Sequence, residues 1–349
     1  MKISTIDPTT DTRWDEFVAG QKDSAVFHTS AWARVIGEAY GYSSKYYVIE
    51  DDNGRICAAI PFFQIKSLFT GNRLVSLPFS DFCSPLGSEP EITVLFNHAK
   101  EELEGMSGAY LEIRGWPEGS SPSRLGLQSR DYHLLYLLSL EPDAAKLNER
   151  FHDSVRRGIR QAEKRGVAVR MSHDEADLDL FYRLHLITRK KLGVLPQPRS
   201  FFKAIYRNLI SKNLGFTGLA ESEGKIIAGV VFLNYKNTVY YKYNASDEEY
   251  LQKRPNHMVT WEAIKTACAQ NYRYFDFGRC SPEEEGLRTF KTRWRAAEIN
   301  LPYYYYPKVQ GISAASENGL RYRMMRLFSR VTPLSAFETA GSFLYKHLG

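Results

Sequence analysis

Cysteine is scarce and scattered in this chain. The 349 residues hold four, Cys57, Cys83, Cys268 and Cys280, in no C-x-x-C or Cys/His spacing. A zinc ribbon and a disulfide framework are therefore excluded as the basis of the fold. Cys57 and Cys268 sit in apolar runs and read as small core residues. Cys280 is a weak candidate nucleophile, because no histidine stands near it in sequence. No run of about 18 apolar residues occurs, which excludes a membrane-spanning helix. The stretch MKISTIDPTTDTRW has no apolar core of signal-peptide type, so a cytoplasmic location is expected. No Ser/His/Asp triad and no metal-ligand cluster is discernible, and covalent and metal mechanisms rank low.

What is present is ordinary globular material, 43% hydrophobic and 25% charged. The length predicts about two domains. The 22 Tyr and 20 Phe residues suggest deep sheets and a groove able to hold an extended ligand. The expected elements begin with a broken helix over Asp15–Ala39. A hairpin follows, Lys45–Glu50 and Arg55–Ile65 joined by Asp51-Asp52-Asn53-Gly54. Asn72–Leu77 continues the sheet, Ile92–Leu103 is a helix, Ala109–Ile113 a strand ending in Arg114-Gly115, and His133–Ser139 another strand. The order then recurs: strand Val167–Ser172, helices Asp174–Leu192 and Phe201–Ile210, strands Phe216–Ser222, Lys225–Tyr235 and Thr238–Ala245, helix His257–Gln270 and strand Tyr274–Gly278.

The recurrence reaches residue level. Val48–Ala59 (VIEDDNGRICAA) lies over Gly218–Gly229 (GLAESEGKIIAG) when Gly54 is set on Gly224. One supersecondary unit used twice predicts two similar domains. Between them, residues 148–166 read NERFHDSVRRGIRQAEKRG. Val155, Ile159 and Ala162 form an apolar stripe, so an amphipathic helix is expected, capped by Asp153 or Ser154 and ended by Gly166. From 150 to 170 there are seven Lys/Arg against two Asp/Glu, a net +5 of the chain's +6. Arg156, Arg160 and Lys164 recur every four residues. Such a face suits a diphosphate, a tRNA backbone or an anionic membrane surface, or simply solvates a connector.

The second stretch with chemistry in it is Tyr272–Trp294, YRYFDFGRCSPEEEGLRTFKTRW. A strand runs into a polar turn, and the next segment brings Phe290 and Lys291 back toward it. Arg279, Arg288 and Lys291 are three cations at the carboxyl end of a strand, where α/β sheets gather ligands. The alternative is a buried strand followed by a solvated acidic turn.

Three motifs together resemble the FemABX-type peptidyltransferases of the GNAT (N-acyltransferase) superfamily. Phe27–Trp32 (FHTSAW) resembles the family's entry motif, Arg156–Gly166 its basic segment R-x-x-I-x-x-A-x-x-x-G, and Phe275–Arg279 with Gly286–Lys291 its closing motif. The resemblance spans about Asp15 to Tyr306. It implies an α/β (α+β) fold of two tandem GNAT-like domains, each a mixed, mostly antiparallel sheet flanked by helices. The expected division is residues 1–152, 153–310 and a helical tail from 311 to 349. The implied activity is transfer of an activated acyl or aminoacyl group to an amine of a cell-envelope precursor of peptidoglycan or exopolysaccharide. The donor would be aminoacyl-tRNA and no cofactor would be bound. Acyl-CoA is the weaker alternative, because the place of a CoA-cradling glycine loop reads Leu251-Gln252-Lys253-Arg254-Pro255-Asn256-His257. An acyl-CoA enzyme acting on an amino sugar, and a non-catalytic binder of an anionic glycan or nucleic acid, are the competing readings.

The family's site pair carries over to Phe290 and Lys291, and its phosphate-holding segment to Arg156, Arg157 and Arg160. Lys291 would stabilise the oxyanion, and Lys291→Ala is expected to spare the melting temperature. Asp81 would orient the attacking amine or take its proton; a turn role for its carboxylate is the alternative. Trp32, Tyr243 and Arg279 are further candidate substrate contacts, with core packing the alternative for Tyr243. In the tail, Leu320, Met324, Leu327, Phe328 and Val331 recur at helical spacing among Arg321, Arg323, Arg326 and Arg330, followed by Leu334, Phe337 and Leu344. The pattern fits docking on an anionic inner membrane face or, equally, packing back onto a domain.

Overall fold

The computed structural model describes residues 2–67, 71–106, 108–117, 119, 122–308 and 332–348. The chain divides into two compact units. The first holds the residues up to Tyr132, the strand segment from Leu301 and the last residues from Leu344. The second holds His133–Asn300 and the helical residues 334–343.

In the first unit, β1 (Lys2–Ile6) leads to α1 (Arg13–Gly20) and α2 (Ser30–Tyr40), then β2 (Ser43–Glu50), β3 (Ile56–Ser67), β4 (Gly71–Val75), α3 (Glu89–Glu104) and β5 (Tyr110–Arg114). The strands pair in chain order. β1 to β4 are antiparallel, and β4 to β5 are parallel because α3 makes the crossover. The break expected near Phe27 is a single 3-10 turn, Val26–His28, after which the Thr29 hydroxyl caps α2 by accepting from the Trp32 N–H. The core beneath α3 is built from Tyr47, Ile60, Phe62, Phe96 and Leu111.

β6 (Gln128–Ser139) crosses the boundary. α4 (Ala144–Arg150), α5 (Asp153–Lys164), β7 (Ala168–Ser172), α6 (Glu175–Leu192), α7 (Arg199–Asn208), β8 (Gly215–Ser222), β9 (Lys225–Tyr235), β10 (Thr238–Ser246), α8 (Pro255–Ala269), β11 (Tyr274–Cys280) and α9 (Glu285–Arg293) follow. The same pattern returns. β7 to β10 are antiparallel neighbours in chain order, α8 makes the crossover, and β10 pairs β11 in parallel. Gly54 and Gly224, aligned on sequence, both turn their hairpins at positive φ, 74° and 75°.

The last strands are exchanged along the chain. Leu134–Ser139 of β6 pairs with β11 in the second unit. β12 (Ala297–Tyr306), which follows α9, returns Tyr303–Tyr306 to β5 in the first. The boundary therefore falls at Tyr132, ahead of the expected 152, since strand pairing carries β6 into the second unit. The described part of the expected tail is one helix, α10 (Leu334–Leu344), and a 3-10 turn. Within the second unit α10 buries Phe337 completely, and a Cβ on Gly341 would lie 2.6 Å from Pro196, so this part packs inward. The residues from Leu320 to Val331 lie outside the described residues. Among those described, no helix is long and apolar enough to cross a membrane. Cys57 is half-buried rather than a core residue, while Cys268 is buried as expected.

Candidate acyl-transfer site

The site in the second unit starts from an irregularity in β11. Its register against β6 shifts between Asp276 and Arg279, Gly278 takes φ 72°, and the Asp276 carboxylate accepts the Gly278 N–H at 2.7 Å. The bulge turns two carbonyls out of the ladder. Lys291, on α9, takes them both. Its Nζ donates to Gly278 O at 2.8 Å and Arg279 O at 3.0 Å, and it stands 5.2 Å from the Tyr136 ring centre. The residue is only 4% exposed. The ammonium is thus held by carbonyl dipoles and an aromatic face.

A second network, which the sequence reading missed, holds α9 from its other neighbours. Tyr136 donates to Glu298 at 2.6 Å, and Arg288 donates from Nε to the Tyr136 hydroxyl at 3.2 Å and to Glu298 at 3.2 Å. Burial, then the Glu298 hydrogen bond, raise the Tyr136 pKa far out of the working range. Arg279 contacts His133 through its guanidinium. Cys280 is 3% exposed and burial pushes its thiol up, which disfavours a thiolate nucleophile.

Phe290 is half-buried and separates two cavities. One of about 470 Å³ is lined by His257, Glu285, Thr289 and Arg293. The other, about 160 Å³, is lined by Tyr241, Asn244, Asn256 and Lys291. The Phe290 ring meets His257 edge-on at 5.7 Å and Trp294 at 6.1 Å. Burial, then the Arg254 and Arg293 charges, lower the His257 pKa to about 4, so its imidazole is neutral near pH 7. Gly158 makes room for that ring: a Cβ there would lie 2.5 Å from it. From sequence, His257 is only the end of a glycine-free loop and the start of a helix. Its proximity to Phe290 comes from α5 packing on α8, which no local motif signals.

The basic segment is a helix over the expected span, α5, but the side chain of His152, not Asp153 or Ser154, caps it by accepting the Ser154 N–H at 3.2 Å. Val155, Gly158, Ile159 and Ala162 are buried, while Arg157 and Arg160 are exposed. Arg156 pairs with Asp153 one turn back.

The other candidates sit elsewhere. Trp32 is fully buried, edge-on to Phe27 at 5.2 Å, which makes it a core residue of the first unit instead of a ligand contact. Tyr243 is 8% exposed between Phe201 and Phe202, at 5.7 and 5.4 Å, the packing alternative. Asp81 is half-buried in the first unit, and its carbonyl accepts the Tyr303 hydroxyl at 2.5 Å.

Residues 149–292 match the acetyltransferase (GNAT) domain family. Over 310 residues the chain is 20% identical to the UDP-N-acetylmuramoylpentapeptide-lysine N(6)-alanyltransferase of Weissella viridescens, covering 82% of this chain and 89% of that protein. The crystal structure of FemX superposes with a TM-score of 0.68 at 17% identity over 87% of this chain and 97% of that one. The chain shares the GNAT-type fold of FemX. L-PGS from Bacillus licheniformis shares the fold more loosely, with a TM-score of 0.57 at 13% identity over 93% of this chain and 98% of that one. The two-unit repeat read from Gly54 and Gly224 is the tandem form of that fold.

Proposed function

We propose that this protein transfers an activated aminoacyl group to an amine of a peptidoglycan-type envelope precursor. The observation that carries the reading is the Phe290–Lys291 pair on α9, with Lys291 buried on the β11 bulge and Phe290 between two cavities. The likeness over most of the chain to an alanyltransferase acting on such a precursor supports the substrate class.

In this reading the acyl carbonyl lies in the smaller cavity, where the Lys291 charge stabilises the tetrahedral oxyanion. Phe290 shapes the donor pocket. Arg157 and Arg160, with Arg156, hold phosphates of the donor, for which aminoacyl-tRNA is the candidate, and Arg279 adds charge at the bulge. The segment before α8 supports a donor other than acyl-CoA. Pro255 lacks an N–H, and the Arg254 and His257 N–H groups are already donated to the Leu251 and Arg254 carbonyls at 3.0 and 3.1 Å, so three donors that would cradle a pyrophosphate are missing. A cytoplasmic site of action and weak attachment to an anionic membrane face complete the proposal.

The test is transfer of labelled alanine from alanyl-tRNA to a UDP-linked muramyl pentapeptide by the full chain, beside an acetyl-CoA arm. Alanine transfer that is lost in Lys291→Met supports the reading. Turnover with acetyl-CoA alone, or equal alanine transfer by the variant, overturns it.

A further inference from the structure

The smaller cavity beside Lys291 exists because two strands part. β10 and β11 pair in parallel only over Thr238–Tyr240 and Tyr274–Asp276. Past that point each strand slips against its other neighbour, β10 against β9 between Tyr241 and Tyr243, and β11 against β6 between Asp276 and Arg279. Tyr241 and Phe277, the first residues beyond the shared ladder, line the opening with their ring centres 5.9 Å apart.

The slip in β10 also decides which side chains face the opening. Residues three apart in a regular strand point to opposite faces. The extra residue, Lys242, reverses that alternation. Asn244 therefore joins Tyr241 on the cavity wall, and its Nδ2 donates to the Tyr241 hydroxyl at 2.7 Å. Tyr243 is turned away, between Phe201 and Phe202. Asn256, in the first turn of α8, completes the polar wall.

The two amides are incompletely used. An asparagine side chain offers two N–H donors and a carbonyl acceptor. Asn244 uses both donors, on Tyr241 and on Asn256 Oδ1 at 3.3 Å, and its own Oδ1 has no partner among the described residues. Asn256 donates from Nδ2 to Ser246 Oγ at 3.4 Å, and its second Nδ2 hydrogen has no partner among them. A free acceptor and a free donor thus stand on adjacent, mutually bonded amides. A hydroxyl, which both donates and accepts, answers the two. An ammonium does not. Among the described residues lining the cavity, Lys291 alone is charged and none is a carboxylate, and burial keeps the Tyr241 phenol neutral. The facing wall, Phe277, Leu287 and Phe290, is apolar. The volume of about 160 Å³ is close to the ~150 Å³ that admits a benzene-sized molecule. A short side chain fits there, while an aromatic or long basic one, together with its acyl carbonyl, overfills it.

We propose that Asn244 and Asn256 are specificity-determining residues: they read a hydroxyl on the transferred aminoacyl group, so that a short hydroxylated residue of the serine type is taken in preference to alanine. The proposal rests on the reading above, in which the acyl carbonyl enters this cavity, and the experiment separates the two. One tRNA body, charged with labelled serine or with labelled alanine, is offered to the full chain with UDP-linked muramyl pentapeptide. The nucleic acid then contributes equally to both arms. The kcat/KM for serine is expected to exceed that for alanine at least tenfold, because the alanyl group leaves the amides without the hydrogen bonds that serine supplies. Asn244→Leu keeps the branched shape without the polar atoms and is expected to bring the ratio close to one. Asn256→Leu is expected to lower it as well. Equal rates for serine and alanine in the wild type overturn the hydroxyl reading and leave aminoacyl transfer standing. A tenfold preference that survives in both variants removes Asn244 and Asn256 from the selection. Transfer of neither amino acid overturns the aminoacyl-transfer reading and this proposal with it. If the melting curve shows that Asn244→Leu does not fold, Asn256→Leu decides by the same criteria.

Discussion

Lys291 carries two duties that a surface lysine would not. It neutralises two carbonyls released by the β11 bulge, and it brings a charge to the cavity wall. Removing it leaves those carbonyls without the ammonium, at about 1–3 kcal/mol for a buried group losing its partner. Lys291→Met is therefore expected to lower the melting temperature as well as turnover, the latter roughly a hundredfold or more. Calorimetry beside the transfer assay checks both, and an unchanged melting temperature would show that the carbonyls find other partners. Gly158 is a second residue whose identity is set by a neighbour. Its added Cβ would meet the His257 ring at 2.5 Å, so Gly158→Ala should destabilise by about 1–3 kcal/mol through overpacking. Denaturant unfolding measures this, and a neutral result would mean that the ring swings aside without cost.

At the scale of elements, α5 divides its work by face. Val155, Ile159 and Ala162 bury one side, and Arg157 and Arg160 stay exposed on the other. Replacing both arginines with serine should move the melting temperature by no more than about 2–4 °C, since exposed substitutions seldom exceed about 0.5 kcal/mol each. The same change should weaken tRNA binding and reduce the slope of log affinity against log salt by about 1 to 2. A salt slope that stays the same would reduce α5 to a connector. α10 has an opposite balance. Phe337 is fully buried, so Phe337→Ala should cost about 3–5 kcal/mol of stability, read by denaturant midpoint. A loss below about 1 kcal/mol would reopen membrane docking for this helix.

For the molecule as a whole, acid stability turns on two histidines kept neutral. His257 is lowered to about 4, and His185, buried beside Gln197, is held well below its ordinary value by burial and by the Arg189 charge. Both groups bind a proton in the unfolded chain before they do so in the folded one. Their contribution to stability is thus complete above pH 6.5 and falls as the pH drops, with the His257 share lost between about 6.5 and about 4. The charges facing His257 are Arg254 and Arg293, with Glu285 across the cavity. The stability difference between the wild type and His257→Gln should be constant above pH 7 and shrink toward pH 4. A difference independent of pH in that window would remove His257 from the acid response. At lower pH, Asp177, whose carboxyl the Arg170 hydrogen bond holds down, adds a further loss.

By itself, the sequence carried the repeat, because hairpin turns are written in local residues. Gly54 and Gly224 must each supply a positive φ, and the strands around them alternate or run apolar over short stretches. It also carried the buried stripe of α5, which local spacing places, while the Phe290–Lys291 site pair entered through the family resemblance. β12 escaped notice because Tyr303–Tyr306 are four identical residues. Their burial alternates in the structure, Tyr303 and Tyr305 in and Tyr304 and Tyr306 less so, but identical side chains hide a period of two. The exchange of β6 and β12 was likewise decided by pairing at long range. Tertiary structure alone decided that Trp32 and Tyr243 belong to cores, that Lys291 is enclosed by the carbonyls it holds, and that His257 reaches Phe290. Each of these depends on where a second, distant segment lands, and burial and desolvation are set by that segment and not by the neighbours in sequence.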